Sequence, residues 1–153
     1  MISQKSCGII YDTMIKDKVV IDTNVILSGL KSRKGYSYKL LDFISRDQVL
    51  FNISVPLILE YESILVKFKD NIGLTVKDIR DFIDYLCKVG NQTKIYYLWR
   101  PILKDSFDDH ILEVAVNSES KYIITYNQKD FRESIKFGIS AITPKEYLEG
   151  GRK

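Results

Sequence analysis

Apolar and polar positions alternate between two periods along this chain, and each change of period marks a new element. Val19, Val20 and Ile21 form a continuous β-branched run that stops at Asp22, the signature of a strand buried on both faces. A short helix follows to residue 30, with Thr23 as its expected cap. Residues 36–46 carry Tyr36, Leu40, Phe43 and Ile44 at helical spacing, and 49–53 read as a second strand. Ser54 then caps a helix with Pro56 in its first turn, where a missing N–H costs nothing; Leu57, Tyr61, Ile64, Leu65 and Phe68 form its apolar stripe. Thr75 opens a further helix bearing Ile79, Phe82, Ile83 and Leu86, stopped by Gly90, with Cys87 expected to be buried on it. A strand over 95–99, a helix over 105–118, a strand over 122–124, a short helix near Asp130, a strand over 139–142 and a terminal helix from Pro144 to Gly150-Gly151 complete the reading.

Strands that alternate with helices in this way build an α/β sandwich around a largely parallel sheet. Ligands of such sheets bind outside the carboxyl ends of the strands, so the polar residues that follow each apolar run carry the interest. Asp22 follows the first strand, and Glu60 lies one turn into the helix after the second. Asp105, Asp108 and Asp109 open a later helix, and Asn127 and Asp130 follow Tyr122–Ile124. Capping and dipole pairing account for several of these residues equally well. Asp22 resists that explanation best, because a carboxylate set directly against three buried apolar residues is costly unless paired or bound to a cation.

Composition narrows the chemistry. The chain has 153 residues, 45% hydrophobic and 28% charged, which suits one globular domain. No apolar run approaches the ~20 residues of a membrane helix, and no signal-peptide pattern stands at the N-terminus, so a cytoplasmic protein without membrane contact is expected. Residues 1–17 read as an N-terminal extension with Met14 as a second candidate start, 18–149 as the domain, and 150–153 as a tail. Cys7 and Cys87 match no disulfide or zinc pattern, and His110 is the single histidine. A multi-histidine metal site within one chain is excluded. The net charge of +3 permits a nucleic-acid partner without demanding one.

Several acids gathered at one sheet edge repel one another, and without a cation some would hold protons. Mg²⁺ or Mn²⁺ resolves the conflict, since either accepts carboxylates, waters and phosphate oxygens. Acids, no useful histidine and a mildly basic surface together suggest a metal-dependent nuclease.

Five stretches carry a family resemblance: Val-Val-Ile-Asp-Thr-Asn-Val-Ile-Leu-Ser at 19–28, Val-Pro-Leu-Ile-Leu-Glu-Tyr-Glu-Ser-Ile-Leu at 55–65, Asp-Ser-Phe-Asp-Asp-His-Ile-Leu-Glu-Val-Ala at 105–115, Ile-Ile-Thr-Tyr-Asn-Gln-Lys-Asp-Phe at 123–131, and Gly-Ile-Ser-Ala-Ile-Thr-Pro-Lys-Glu-Tyr-Leu at 138–148. In this order they resemble the PIN-domain family, in particular its VapC-like toxins. The resemblance implies a three-layer α/β/α sandwich with a mostly parallel central sheet. It further implies Mg²⁺- or Mn²⁺-dependent cleavage of RNA, a small antitoxin as partner, and a homodimer. It places the acids at Asp22, Glu60 and Asp109, with a fourth position at Asn127 and Asp130 close by. Asp105 and Asp108 match a secondary acidic cluster, and Thr23, Asn24 and Thr125 match polar residues that hold the acids. The amide at Asn127, where many relatives carry a carboxylate, weakens the expected second metal site.

Lys31, Arg33, Lys34, Lys129 and Arg132 are candidate phosphate contacts, and Tyr36, Tyr38 and Tyr126 candidate stacking surfaces; solvated surface or packing explains each of them as well. His110 is expected to be structural. The rival from a different class is a non-catalytic PIN-like module that binds RNA or protein. A receiver domain is disfavoured because Thr23 and Asn24 follow a single Asp22, an Asp-x-Asp phosphatase because residue 24 is asparagine, and a dinucleotide fold because Gly-x-Gly-x-x-Gly is missing.

Overall fold

The first strand sets the architecture. Val19, Val20 and Ile21 are fully buried although successive side chains point to opposite faces of the sheet, so both faces must be covered. The computed structural model describes residues 16–95 and 109–151. It shows a five-stranded parallel sheet in the order β3-β2-β1-β4-β5, flanked by helices. The strands are β1 (Lys18–Ile21), β2 (Leu50–Ile53), β3 (Asn91–Gln92), β4 (Tyr122–Ile124) and β5 (Ser140–Ile142).

The helices are α1 (Thr23–Lys31), α2 (Tyr36–Ser45), α3 (Val55–Lys67), α4 (Lys69–Ile72), α5 (Val76–Val89), α6 (Asp109–Asn117) and α7 (Pro144–Glu146). A 3-10 segment, Gln128–Phe137, joins β4 to β5, and a π-type turn, Tyr147–Gly151, follows α7. Their ends obey local rules. Ser54 accepts from the Leu57 N–H at 3.3 Å to start α3, while Thr75 with Asp78, and Thr143 with Glu146, form reciprocal capping boxes. α1 lies close on α2 because residue 29 is glycine: a Cβ there would stand 2.6 Å from Leu41 Cδ1.

The chain steps outward from β1 through β2 to β3, then returns past β1 to lay down β4 and β5 on the other side. The reversal lies between β1 and β4, where a parallel sheet opens a crevice at its carboxyl edge. The core below is tightly specified. Phe51 and Tyr61 stack at 6.5 Å between ring centroids, and Tyr122 meets Tyr147 edge-on at 5.7 Å. Tyr61 is fully buried, and its hydroxyl donates to the Ile21 carbonyl. This bond ties α3 to the last residue of β1, immediately before Asp22.

Three expectations need correction. The strand after α5 is Asn91–Gln92, not 95–99; Ile95 packs on the core outside any strand, and 96–99 lie outside the described residues. Cys87 is exposed, because Ile79, Ile83 and Leu86 complete the buried face of α5 and the next residue turns away from it. Thr23 does not cap α1: Asp22 occupies the cap position, and the Thr23 side chain is engaged elsewhere. Residues 1–15 of the expected 1–17 extension, Asp105 and Asp108, and residues 152–153 of the tail also lie outside the described residues.

Candidate metal and nuclease site

The residue that follows β1 and the one that follows β4 each tie their strand to the next one in the sheet. The Asp22 N–H donates to the Ile124 carbonyl at 2.9 Å, and the Thr125 N–H to the Ile142 carbonyl at 2.8 Å. Above these backbone bonds the Thr125 hydroxyl donates to Asp22 Oδ2 at 2.7 Å and accepts from the Asn127 N–H at 2.9 Å. From the other side, Thr23 Oγ1 donates to Glu60 Oε2 at 2.6 Å, joining α1 to α3. Two carboxylates are thus each fixed by one threonine hydroxyl from a different element.

A cleft of about 780 Å³ opens above them. Asp22, Thr23, Asn24, Glu60 and Asn127 line its acidic end. The burial has an electrostatic consequence. Asp22 is 6% exposed, and desolvation raises its pKa from 3.8 to about 6; Glu60 and Asp130 push the same way, against the Thr125 hydroxyl and the Thr23 amide. Burial, reinforced by Asp22 and Glu60, raises the Tyr61 hydroxyl well above its usual value, so it remains a neutral donor to Ile21. Asn24 adds a second sign of frustration: its Oδ1 is buried and has no hydrogen-bond donor.

Of the remaining expected residues among those described, none lines this cleft except His110. Asp130 lies close enough to act on the Asp22 charge but does not line the cleft. Asp109 opens α6 and is 1% exposed; its neighbour His110 lines the cleft, 3.9 Å from the buried Glu113. Among the described residues no group of three or more His, Cys, Asp or Glu is arranged to hold a metal ion. Lys31, Arg33, Lys34, Lys129 and Arg132 are exposed, and none lines the cleft. Tyr36 donates to Glu149 at 2.6 Å, whereas the exposed Tyr126, next to Asn127, shares a hydrogen bond with the buried Ser37.

Sequence reasoning missed Lys67, which with His110 supplies the basic side chains of the cleft wall, and it missed Ser63. Both were within reach: they stand three and seven residues beyond Glu60, on the same helical face. Ile64 and Phe68, read only as part of the apolar stripe of this helix, also line the cleft.

The donor set suits a small hard cation. It is all oxygen, it contains two fixed carboxylates and an unpaired amide oxygen, and its buried charge is relieved by a positive ion. Mg²⁺ needs only one or two carboxylates, with waters and phosphate oxygens completing its shell. The pair Asp22 and Glu60 meets that need without a third acid.

A parallel sheet with acids at its point of reversal defines an α/β domain built to bind at that edge. The sequence profile of the PIN domain matches residues 18–129, and the chain belongs to this family. PIN domains are in general nucleases that use divalent metal ions. The chain is similar to the uncharacterized protein MJ1680 of Methanocaldococcus jannaschii, 30% identical, with 88% of this chain and 92% of that protein covered. Its fold is also similar to a chain in the crystal structure of VapBC2 from Rickettsia felis bound to a DNA fragment from their promoter. There the TM-score is 0.57 at 12% identity, covering 81% of this chain and 98% of that one. No helix among the described residues is long and apolar enough to cross a membrane.

Proposed function

We propose that this protein is a cytoplasmic, divalent-metal-dependent endoribonuclease, the toxin of a toxin–antitoxin pair, that hydrolyses RNA phosphodiester bonds to leave 5′-phosphate and 3′-hydroxyl ends. The observation that carries this reading is the pair of threonine-held carboxylates, Asp22 and Glu60, beside the unpaired Asn24 oxygen at the reversal of the sheet. The family supports the nuclease class, and the fold shared with VapBC2 supports a small antitoxin protein as partner. A homodimer is part of the same proposal.

Asp22 and Glu60 hold Mg²⁺ or Mn²⁺, with Asn24 and Asn127 as neutral oxygen donors and Asp109 and Asp130 as nearby negative charge. The ion, when bound, supplies positive charge that activates water and neutralises phosphoryl oxygens. The protein contributes placement. Thr125 and Thr23 each occupy one carboxylate oxygen and fix the plane of the other, and Tyr61 keeps the end of β1 from shifting. Asp130 and Asn127 orient the attacking water from the β4 side. Asp105 and Asp108 belong to the same proposed acidic set.

The amide at Asn127, and the lack of a three-acid group among the described residues, favour one alternative: a non-catalytic module that binds RNA or protein. Incubation with total RNA, with and without Mg²⁺, followed by mapping of cut ends, separates the two. Cleavage that requires Mg²⁺ and disappears in Asp22→Asn is the expected result. RNA left intact by the wild-type protein, or cut equally by the variant, would reject the nuclease.

A further inference from the structure

The cleft has a second end of different chemistry. α3 runs along one wall, so Ser63, Ile64 and Lys67 face the same space as Glu60, and Phe68 follows at the C-cap. Leu27 of α1 also lines this space. The helical rise sets Lys67 about 10 Å along α3 from Glu60. Just beyond Phe68, α4 packs against α1, so the two walls of the cleft are brought together there. The far end therefore offers half-buried apolar surface from Leu27, Ile64 and Phe68, with the exposed Lys67 ammonium 5.5 Å from the centre of the Phe68 ring.

We infer that this end is a nucleotide subsite, in which one unpaired base lies against Phe68, Leu27 and Ile64 while Lys67 holds an adjacent phosphate. The inference rests on the nuclease reading and deepens it by naming what the cleft takes beyond the scissile phosphate. An aromatic face next to a cation matches the two parts of a nucleotide, a flat π-surface and an anion on the same unit. An apolar protein side chain would use the wall but offer no anion to Lys67, whose ammonium stands over the Phe68 ring.

The test is fluorescence anisotropy, in Ca²⁺ buffer, with labelled oligouridine and oligoadenosine and a base-free strand of equal length. Phe68→Leu should weaken binding of the base-bearing strands about 5- to 100-fold and leave the base-free strand unchanged. Lys67→Gln, at an exposed position that does not endanger the fold, should weaken all three and lower the salt slope by about 0.7. Wild-type affinity in both variants, or base-free and base-bearing strands bound alike by the wild type, overturns the subsite. Failure of the wild type to bind any strand overturns it too, and points to a protein segment as the occupant. Cleavage in Mg²⁺ is read separately. A wild type that shows these binding differences but never cuts keeps the subsite and removes the nuclease. One that cuts, with Phe68→Leu binding and cutting identically, does the reverse.

Discussion

The two ends of β1 bury polar groups in opposite ways. Near its start, Asn52 is 4% exposed and neutral, and its amide donates to Ser120 Oγ at 3.1 Å, to the Leu50 carbonyl at 3.3 Å and to the Val19 carbonyl at 3.4 Å. Ser118 completes the chain by bonding Ser120 at 2.6 Å. At the other end of the strand a charged carboxylate is buried, its pKa is raised by desolvation, two further acids act on it, and an amide oxygen nearby has no donor. The first network satisfies its groups and stabilises the sheet. The second is incomplete as protein alone, which is what the proposed cation would relieve. Burial of polar groups therefore does not mark a site; burial that leaves charge uncompensated does.

Exchanging charge for amide at the second end gives the largest expected effect. Asp22→Asn should lower RNA cleavage by more than about 100-fold, since removing a mere supporting partner of a metal ligand already costs ~10–100-fold. The same change should stabilise the metal-free protein. Asp22 binds its proton more tightly folded than unfolded, so the folded state holds the extra proton between about pH 4 and pH 6. Stability of the metal-free protein should therefore fall as pH rises through that window, by about 3 kcal/mol in all, and level off above it. Chemical denaturation at several pH values in EDTA reads this directly, and Asp22→Asn should flatten the slope. Thr125→Val comes next: loss of the bond to Oδ2 should reduce cleavage ~10- to 100-fold without unfolding the protein, as read by initial rates beside circular dichroism.

The first end should behave in the contrary sense. Asn52→Ala should lower stability by about 1–3 kcal/mol in a urea titration and leave Mn²⁺ affinity unchanged; a change in Mn²⁺ affinity would dissolve the distinction between the two ends. Smallest is Ser37→Ala, which frees the Tyr126 hydroxyl and should cost about 1 kcal/mol.

The sequence announced the acidic end because burial and charge collide within four letters, Val-Val-Ile-Asp, and no local motif resolves the collision. It announced α3 through Ser54, Pro56 and a regular stripe. It hid β3 because Asn91 and Gln92 are exposed edge residues that pair through backbone alone, so no side-chain period marks them. It misassigned Thr23 because a cap is the strongest local use of a threonine at that place, and only the fold reveals that Glu60 is within reach. The far end of the cleft was legible in principle, but Ile64 and Phe68 share the core's spacing, and periodicity cannot tell an apolar wall of a cleft from an apolar face of the core.

The central claim is that Asp22 and Glu60 form a site made tolerable by a divalent cation. Calorimetric titration of Mn²⁺ into the wild-type protein and into Asp22→Asn tests it most directly. A saturable binding event in the wild type that vanishes in the variant is expected. No heat in the wild type, or equal affinity in the two proteins, would contradict it.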